Sequence, residues 1–483
     1  MLYPAKAKAS ALSKDYDIIP VCKEIYADII TPIALLKKIS QVSKRYYLLE
    51  SIEGGERWGR YSFLGYDPIE RITCKNGNVE IENDEKTKRI ETKNPLEVIR
   101  ERLACYRSPT LEGMPPFTGG LVGYSAYSMF SYTEPKLKIK RGDENDFDYM
   151  LFDKIIAYDH LRQKIIIIVN MKTASESYEN AVSQIENIES FIKAPIADNV
   201  DASRVLSPVK CNMTGDEYSK MVDRAKEYIK NGDIFQAVLS RKFELEYEGS
   251  LINAYRVLRT TNPSPYMVFM NIDDRQIIST SPETLVKLNK GRLYTFPVAG
   301  SRQRGSTREE DLELERDLMS DEKELSEHNM LVDLARNDIG RVAKFGSVRL
   351  ENYKMVHRYS KIMHIASEVQ GEINDGLNAC DVISSILPAG TLSGAPKIRA
   401  CEIIEELEKD SRGIYGGALG YIDFAGNMDT CIAIRMAVLY KGVVTIQAGG
   451  GIVYDSIPEN EYNECGHKAE AVIQAILNSQ EVY

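Results

Sequence analysis

Two short carboxylate patterns stand out in the chain for the chemistry they could support. Glu324-Leu-Ser-Glu327 and Glu461-Tyr-Asn-Glu464 each place two glutamates three residues apart in a segment that reads as helix. Residues at that spacing are neighbours on one helix face. Adjacent carboxylates repel unless a positive charge sits between them. Magnesium suits such a place, because it takes oxygen ligands, keeps several waters and needs only one or two protein carboxylates beside substrate oxygens. Taken singly, either pair is better explained by the solvated face of a surface helix. The neighbours shift the weighting. Met330, Leu331 and Leu334 form a stripe expected to bury the first helix, and Lys468 lies one helical turn beyond Glu464, able to meet an anion beside a metal.

A second group could hold a carboxylate. The alternation over 431–439 predicts a strand with Cys431, Ala433, Arg435 and Ala437 on one face. An arginine among small side chains has room to present its planar fork; a surface ion pair on an edge strand explains it equally well. The next strand runs into Gln447-Ala-Gly449-Gly450-Gly451, where absent side chains let a ligand approach backbone N–H groups, or where the chain simply bulges or turns. A further glycine-bearing turn, Pro297-Val-Ala-Gly300-Ser301, follows a strand expected over 292–296.

These residues must be positioned by mixed elements. Strands are expected over 46–50 and 164–169, and helices over 95–105 and 176–192. The stretch 194–213 lacks a period and contains two prolines, which predicts a boundary between an N-terminal region, 15–200, and a catalytic domain, 210–483. Thr214-Gly-Asp-Glu217 reads as a capping box opening a helix with Tyr218, Val222, Ala225 and Ile229 on its apolar stripe. Strands over 416–424, 429–439 and 443–447 form an antiparallel meander, and helices are expected over 321–335 and 396–408. Antiparallel strands with helices grouped apart predict an α+β layered class. No nucleotide-binding glycine loop and no internal repeat is evident.

Composition narrows the partners. A formal net charge of −10 without a basic block argues against nucleic acid. The longest aliphatic run, 165–169, is far short of a membrane span, and the N-terminal residues lack the apolar core of a signal peptide. Eight scattered cysteines without a C-x-x-C predict free thiols and a cytoplasmic location.

The chain resembles the chorismate-utilising enzymes over nearly its whole length. The resemblance is carried by Ile-Phe-Gln236-Ala-Val-Leu-Ser-Arg, Ser-Pro-Glu283-Thr, Pro-Val-Ala-Gly300-Ser301, Glu324-Leu-Ser-Glu327-His-Asn-Met-Leu-Val-Asp-Leu-Ala-Arg-Asn-Asp, Met-His364, Pro-Ala-Gly-Thr391-Leu-Ser-Gly-Ala-Pro-Lys, Tyr415-Gly-Gly-Ala-Leu-Gly-Tyr and Gln-Ala-Gly449-Gly450-Gly451. It implies a sandwich of two sheets framed by helices. It also implies that Glu327 and Glu464 ligate Mg²⁺, supported by Glu324 and Glu461, with the ring carboxylate of chorismate on the metal near Lys468. Tyr415, Arg435 and the N–H groups of Gly449 to Gly451 are implied to hold the enolpyruvyl carboxylate, and Gly300 and Ser301 to line the substrate. The family more often has threonine at Ser301. Glu283 is implied as general acid to the departing C4 hydroxyl, assisted by His364 and Thr391. On residue type alone His364 fits a hydrogen-bonded core histidine.

Two positions separate the members of the family. Where the water-adding isochorismate and salicylate synthases resemble this chain at Gln236, they carry a lysine. Typical aminodeoxychorismate synthases carry a nucleophilic lysine at the position of Ala299. Their absence implies attack by free ammonia, then loss of pyruvate and aromatisation. Tyr47-Leu-Leu-Glu-Ser51 resembles a tryptophan-sensing segment; with Pro265, Tyr266 and Met267 it is implied to bind L-tryptophan as feedback inhibitor. No G-x-C-x-G turn occurs, so a separate glutamine amidotransferase subunit is implied, in a heterotetramer.

Overall fold

The computed structural model describes residues 2–51, 59–83, 85–195, 203–358 and 362–482; residues 196–202 of the expected boundary stretch fall outside these. The run Ile165–Val169 shows how the layers are built. Ile165, Ile167 and Val169 pack with Ile185 and Ile188 of the helix Tyr178–Lys193. Ile166 and Ile168 point the other way, into a core shared with Tyr124 and Met150 of a second sheet. A strand apolar at every position is one covered on both faces. The second sheet repeats the pattern: Leu121 and Leu151 turn outward to Leu96 and Ile99 of the helix Pro95–Leu103. The result is helix, sheet, sheet, helix, the expected α+β layered sandwich.

Among the described residues one sheet has fourteen strands and the other twelve. Both draw on both parts of the chain. Arg45–Glu50 pairs antiparallel with Tyr266–Ile272, and Gly120–Ser125 with Ala418–Asp423. Within the expected boundary stretch, Arg204–Val205 and Lys210–Cys211 pair with the long strand Gln236–Glu248. The predicted capping box forms: Thr214 Oγ1 accepts from Glu217 N at 3.3 Å, and the Glu217 carboxylate accepts from Thr214 N at 2.9 Å. No described helix is long and apolar enough to cross a membrane, and all eight cysteines are free thiols.

The chain passes between the sheets through short corners, and it makes the same double corner twice. Residues 67–69 lead from Tyr61–Tyr66 in the first sheet to Glu70–Lys75 in the second, and Asp153 returns the chain from Phe147–Phe152 to Lys154–Asp159. Later, Pro282 and Glu283 lead from Arg275–Ser281 to Thr284–Asn289, and 433–435 return it from Met428–Ile432 to Met436–Tyr440. In each case the outgoing and returning strands pair with one another in both sheets.

This corrects three expectations. The strand expected over 429–439 is broken at 433–435, so Arg435 does not alternate along a strand. It sits at the corner with φ +48°, a left-handed conformation costing on the order of 1–3 kcal/mol in a non-glycine residue. The corner is held by Thr280 N donating to Arg435 O at 3.0 Å and Ser279 Oγ to Ile434 O at 2.9 Å. Gly449 to Gly451 form no turn: the strand continues as Val443–Ile452, with Ser240, Leu239 and Val238 opposite the three glycines. Lastly, the helix Glu322–Gly340 is buried through His328, Leu331, Val332, Asp338 and Ile339, while Met330 and Leu334 are only half-buried.

Candidate active site

The second double corner creates the site. Met436–Tyr440 pairs with the glycine-bearing strand only over 443–446. Because its chain leaves for the other sheet at Arg435, the strand edge from Gln447 to Gly451 has no partner strand on that side among the described residues. The gap lies beside Arg435 and the parallel corner that carries Glu283. The two corners are tied together: Ile432 N donates to Glu283 O at 3.0 Å, and Ser281 Oγ donates to Ile432 O at 2.7 Å.

Glu283 borders a small cavity shared with Leu331, Ala335, Ile386, Gly390 and Ile432. Burial pushes its carboxyl up to about 7; the Thr391 hydrogen bond and the Lys468 charge pull the other way. Thr391, in the short turn Gly390–Leu392, donates Oγ1 to Glu283 Oε1 at 3.2 Å. A carboxyl in this state can hold a proton near neutral pH and release it, as a general acid must.

The two carboxylate pairs lie on helices, as expected. Asp321 caps the first, Glu322–Gly340, accepting from the backbone N–H groups of Lys323 and Glu324. The second is Pro458–Asn478, where Lys468 Nζ contacts Glu464 Oε1 at 2.6 Å and donates to Gly449 O at 3.1 Å. The helices bring the pairs together. Burial chiefly raises Glu327, and Glu324 and Glu464 raise it further, against Lys468. Burial and then Asp321 raise Glu324, to which Glu464 adds. Glu461 is likewise raised by burial and by Glu464, opposed by a Ser456 hydrogen bond. Two glycines admit these groups to the backbone: a Cβ on Gly300 would lie 3.1 Å from Glu324 Oε2, and one on Gly450 would lie 3.0 Å from Glu461 Oε2.

Among the described residues, no three His, Cys, Asp or Glu side chains form a ready-made metal cluster. The donor set nevertheless fits magnesium: oxygen donors only, crowded like charges that a cation relieves, and two carboxylates sufficient beside substrate oxygens.

Arg435 stands near this group, its pKa pulled down by burial and held up by Tyr415 and Glu464. Tyr415 is buried, which pushes its phenol up and keeps it protonated, and its hydroxyl lies 3.0 Å from the Cβ position of Gly449. The half-buried, charged Arg435, the Tyr415 hydroxyl and an open glycine edge together can receive a carboxylate. Gln236 covers the end of this edge, its amide nitrogen 2.2 Å from the Cβ position of Gly451.

Across the gap, Gly300 is a bulge at φ +69° between Ala299 and Ser301, which pair with Ile365 and His364. His364 Nδ1 lies 2.9 Å from Gly300 O. A carbonyl only accepts, so Nδ1 carries the proton and Nε2 of the neutral ring does not. Ser301 is exposed and Ala299 nearly buried.

The expected inhibitor residues assemble at one strand end. Met267 lies opposite Glu50 in the antiparallel pair, which sets Tyr266 beside Ser51. The Tyr266 hydroxyl reaches toward the other sheet, 2.7 Å from Asp429 Oδ1 and 3.0 Å from Thr284 Oγ1, next to Glu283. Glu50, which the sequence did not single out, is buried and accepts from Ser62 Oγ and Tyr255 OH, each at 2.8 Å, and from Arg259 Nε at 2.9 Å.

The chorismate binding enzyme family matches residues 44–474. The chain is 44% identical over 496 residues to anthranilate synthase component 1 of Acetivibrio thermocellus, covering 100% of both. It is 45% identical to the Aquifex aeolicus component 1, covering 97% of each. Among solved structures, anthranilate synthase component I from Streptococcus pneumoniae superposes with a TM-score of 0.78 at 35% identity, over 93% of this chain and 98% of that one. The menaquinone-specific isochorismate synthase from Escherichia coli, at 17% identity and a TM-score of 0.71, shares the fold.

Proposed function

This chain belongs to the chorismate-binding enzyme family, among its anthranilate synthase component 1 members, and we propose that it converts chorismate and ammonia to anthranilate, pyruvate and water. The observation that carries the reading is the half-buried Glu283, its carboxyl raised to about 7 and hydrogen-bonded to Thr391, on a corner tied to that of Arg435.

Arg435, Tyr415 and the Gly449–Gly451 edge hold the enolpyruvyl carboxylate, with Gly300 and Ser301 along the ring. Ammonia adds at C2. Glu283 gives its proton to the C4 hydroxyl, which leaves as water as the ring double bond shifts. His364, with Nε2 unprotonated, is placed to take the C2 proton; the C3–O bond then breaks, pyruvate departs and the ring becomes aromatic. Gln236 and Ala299 supply neither a water-activating nor a nucleophilic lysine, which supports ammonia as the attacking group. Glu327 and Glu464, with Glu324 and Glu461 in support, would hold Mg²⁺, which would supply a Lewis acid and a template for the ring carboxylate. Lys468 adds a fixed positive charge beside it.

Ammonia comes from a glutamine amidotransferase subunit, in keeping with the component naming of the relatives, in a heterotetramer in the cytoplasm. L-tryptophan binds at Ser51, Pro265, Tyr266 and Met267 and inhibits. The test is direct. The purified chain with chorismate, Mg²⁺ and an ammonium salt should develop anthranilate fluorescence without the partner, and tryptophan should suppress it. Silence with every ammonium concentration would refute the reading.

A further inference from the structure

Behind the site lies an ion pair that the proposed chemistry does not use. Glu408 closes the helix Lys397–Leu407, and Arg412 follows one turn later; both side chains are almost wholly buried, at 6% and 1% exposure. A buried pair is costly to desolvate and persists where further hydrogen bonds complete it. Here they do. Glu408 Oε1 accepts from Arg412 Nη2 at 2.6 Å and from Ser240 N and Oγ, both at 2.8 Å; Oε2 accepts from Arg412 Nε at 2.8 Å. Arg412 Nη1 donates to Leu392 O at 2.5 Å, and Nη2 also donates to Val238 O at 2.6 Å. The guanidinium lies 4.8 Å from the Tyr127 ring centroid and 5.9 Å from that of Tyr415.

The partners of this pair are not scattered. Leu392 directly follows Thr391, which holds Glu283. Val238 and Ser240 lie opposite Gly451 and Gly449. Tyr415 N donates to Arg412 O at 3.1 Å. One fixed, planar guanidinium thus joins the Thr391 turn to the strand behind the glycine edge. The Thr391 turn itself is only three residues long, so its register against Glu283 depends on what anchors its backbone.

We infer that Glu408 and Arg412 are a positioning pair for the reaction, holding the Thr391 hydroxyl on the Glu283 carboxyl through the Leu392 carbonyl. Neither residue touches the reacting atoms. The inference rests on the proposed role of Glu283 as general acid. Lysine at position 412 keeps the charge but has no planar fork to reach Glu408 and Leu392 together.

The experiment uses the full chain in the ammonium-driven assay, recording kcat against pH for wild type, Arg412→Lys, Thr391→Val and the double variant. Misplacement of this size should lower kcat on the order of ten- to a hundredfold. Losing the Thr391 hydrogen bond raises the Glu283 pKa, so Arg412→Lys and Thr391→Val should both move the alkaline limb to higher pH. The double variant should move it no further than Thr391→Val alone. A loss of rate with an unmoved limb, or additive shifts, overturns the inference and reduces the pair to a structural one. If Arg412→Lys does not fold, Ser240→Ala decides, since it removes one bond to Glu408: a smaller shift in the same direction supports the inference, and a limb coincident with wild type overturns it. Inactivity of the wild type would instead strike the reading of the reaction itself.

Discussion

Thr391 donates a hydrogen bond of 3.2 Å to Glu283, the half-buried carboxyl at the corner between the two sheets. The bond favours the charged form and so restrains a pKa that burial has already pushed up to about 7. Activity that needs the protonated form should therefore fall as pH rises through about 7. Thr391→Val removes the restraint, so its kcat profile should keep activity to higher pH than wild type. A limb that stays put, or moves down, contradicts the assignment of that limb to Glu283.

The same carboxyl makes a stability prediction of opposite use. Folded Glu283 keeps its proton up to about 7, whereas the unfolded chain releases it near the ordinary 4.5. The unfolded state thus binds fewer protons between these values, and stability is lost as pH rises across that window, then levels off. Each pK unit corresponds to about 1.4 kcal/mol, so the loss is about 3 kcal/mol. Glu283→Gln stays neutral and escapes it. The variant should be inactive yet melt higher than wild type at pH 8, with the difference vanishing near pH 4.5. Equal melting at both pH values would rule out the raised carboxyl.

Crowding of Glu324, Glu327, Glu461 and Glu464 predicts a cation-dependent fold. A cation held at a hundred times its dissociation constant stabilises by about 2.7 kcal/mol. Mg²⁺ should raise the melting temperature of the wild type, and should do so far less for Glu327→Gln or Glu464→Gln, both of which should also lose turnover. If both variants respond to Mg²⁺ as the wild type does, the metal is not held there.

Ser51 beside Tyr266 predicts how inhibition is lost. Ser51→Phe fills the strand end and should raise the tryptophan concentration for half-inhibition by about tenfold or more, a coupling loss of about 1.4 kcal/mol, while kcat without tryptophan stays near wild type. An unchanged inhibition curve places the inhibitor elsewhere.

Much of the framework was legible in the sequence, because it follows from local rules. The capping box at Thr214 and Glu217, the doubly apolar strand at Ile165 to Val169 and the i, i+3 glutamates all lie within a few residues of their own signal. The corners were not. Alternation continues smoothly through Ala433-Ile434-Arg435, and nothing in those residue types announces φ +48° or a change of sheet. Yet the corner is what uncovers the glycine edge and puts Arg435 beside it. The repeated double corner is nearly as silent, since its two copies, at 67–69 with 153 and at 282–283 with 433–435, share only a proline of the outgoing corner, Pro68 and Pro282. Glu408 and Arg412 were missed because each looks like an ordinary helix-end charge until Leu392, Val238 and Ser240 close around them.

The central claim is that this constellation takes chorismate to an aromatic product through Glu283, with ammonia as the only nitrogen source. The most direct measurement is the yield of anthranilate and of pyruvate from one reaction of the purified chain with chorismate, Mg²⁺ and ammonium. The account predicts equal amounts of the two products from the wild type and neither from Glu283→Gln. An aminated product that keeps its pyruvyl group, or undiminished yield from Glu283→Gln, would contradict it.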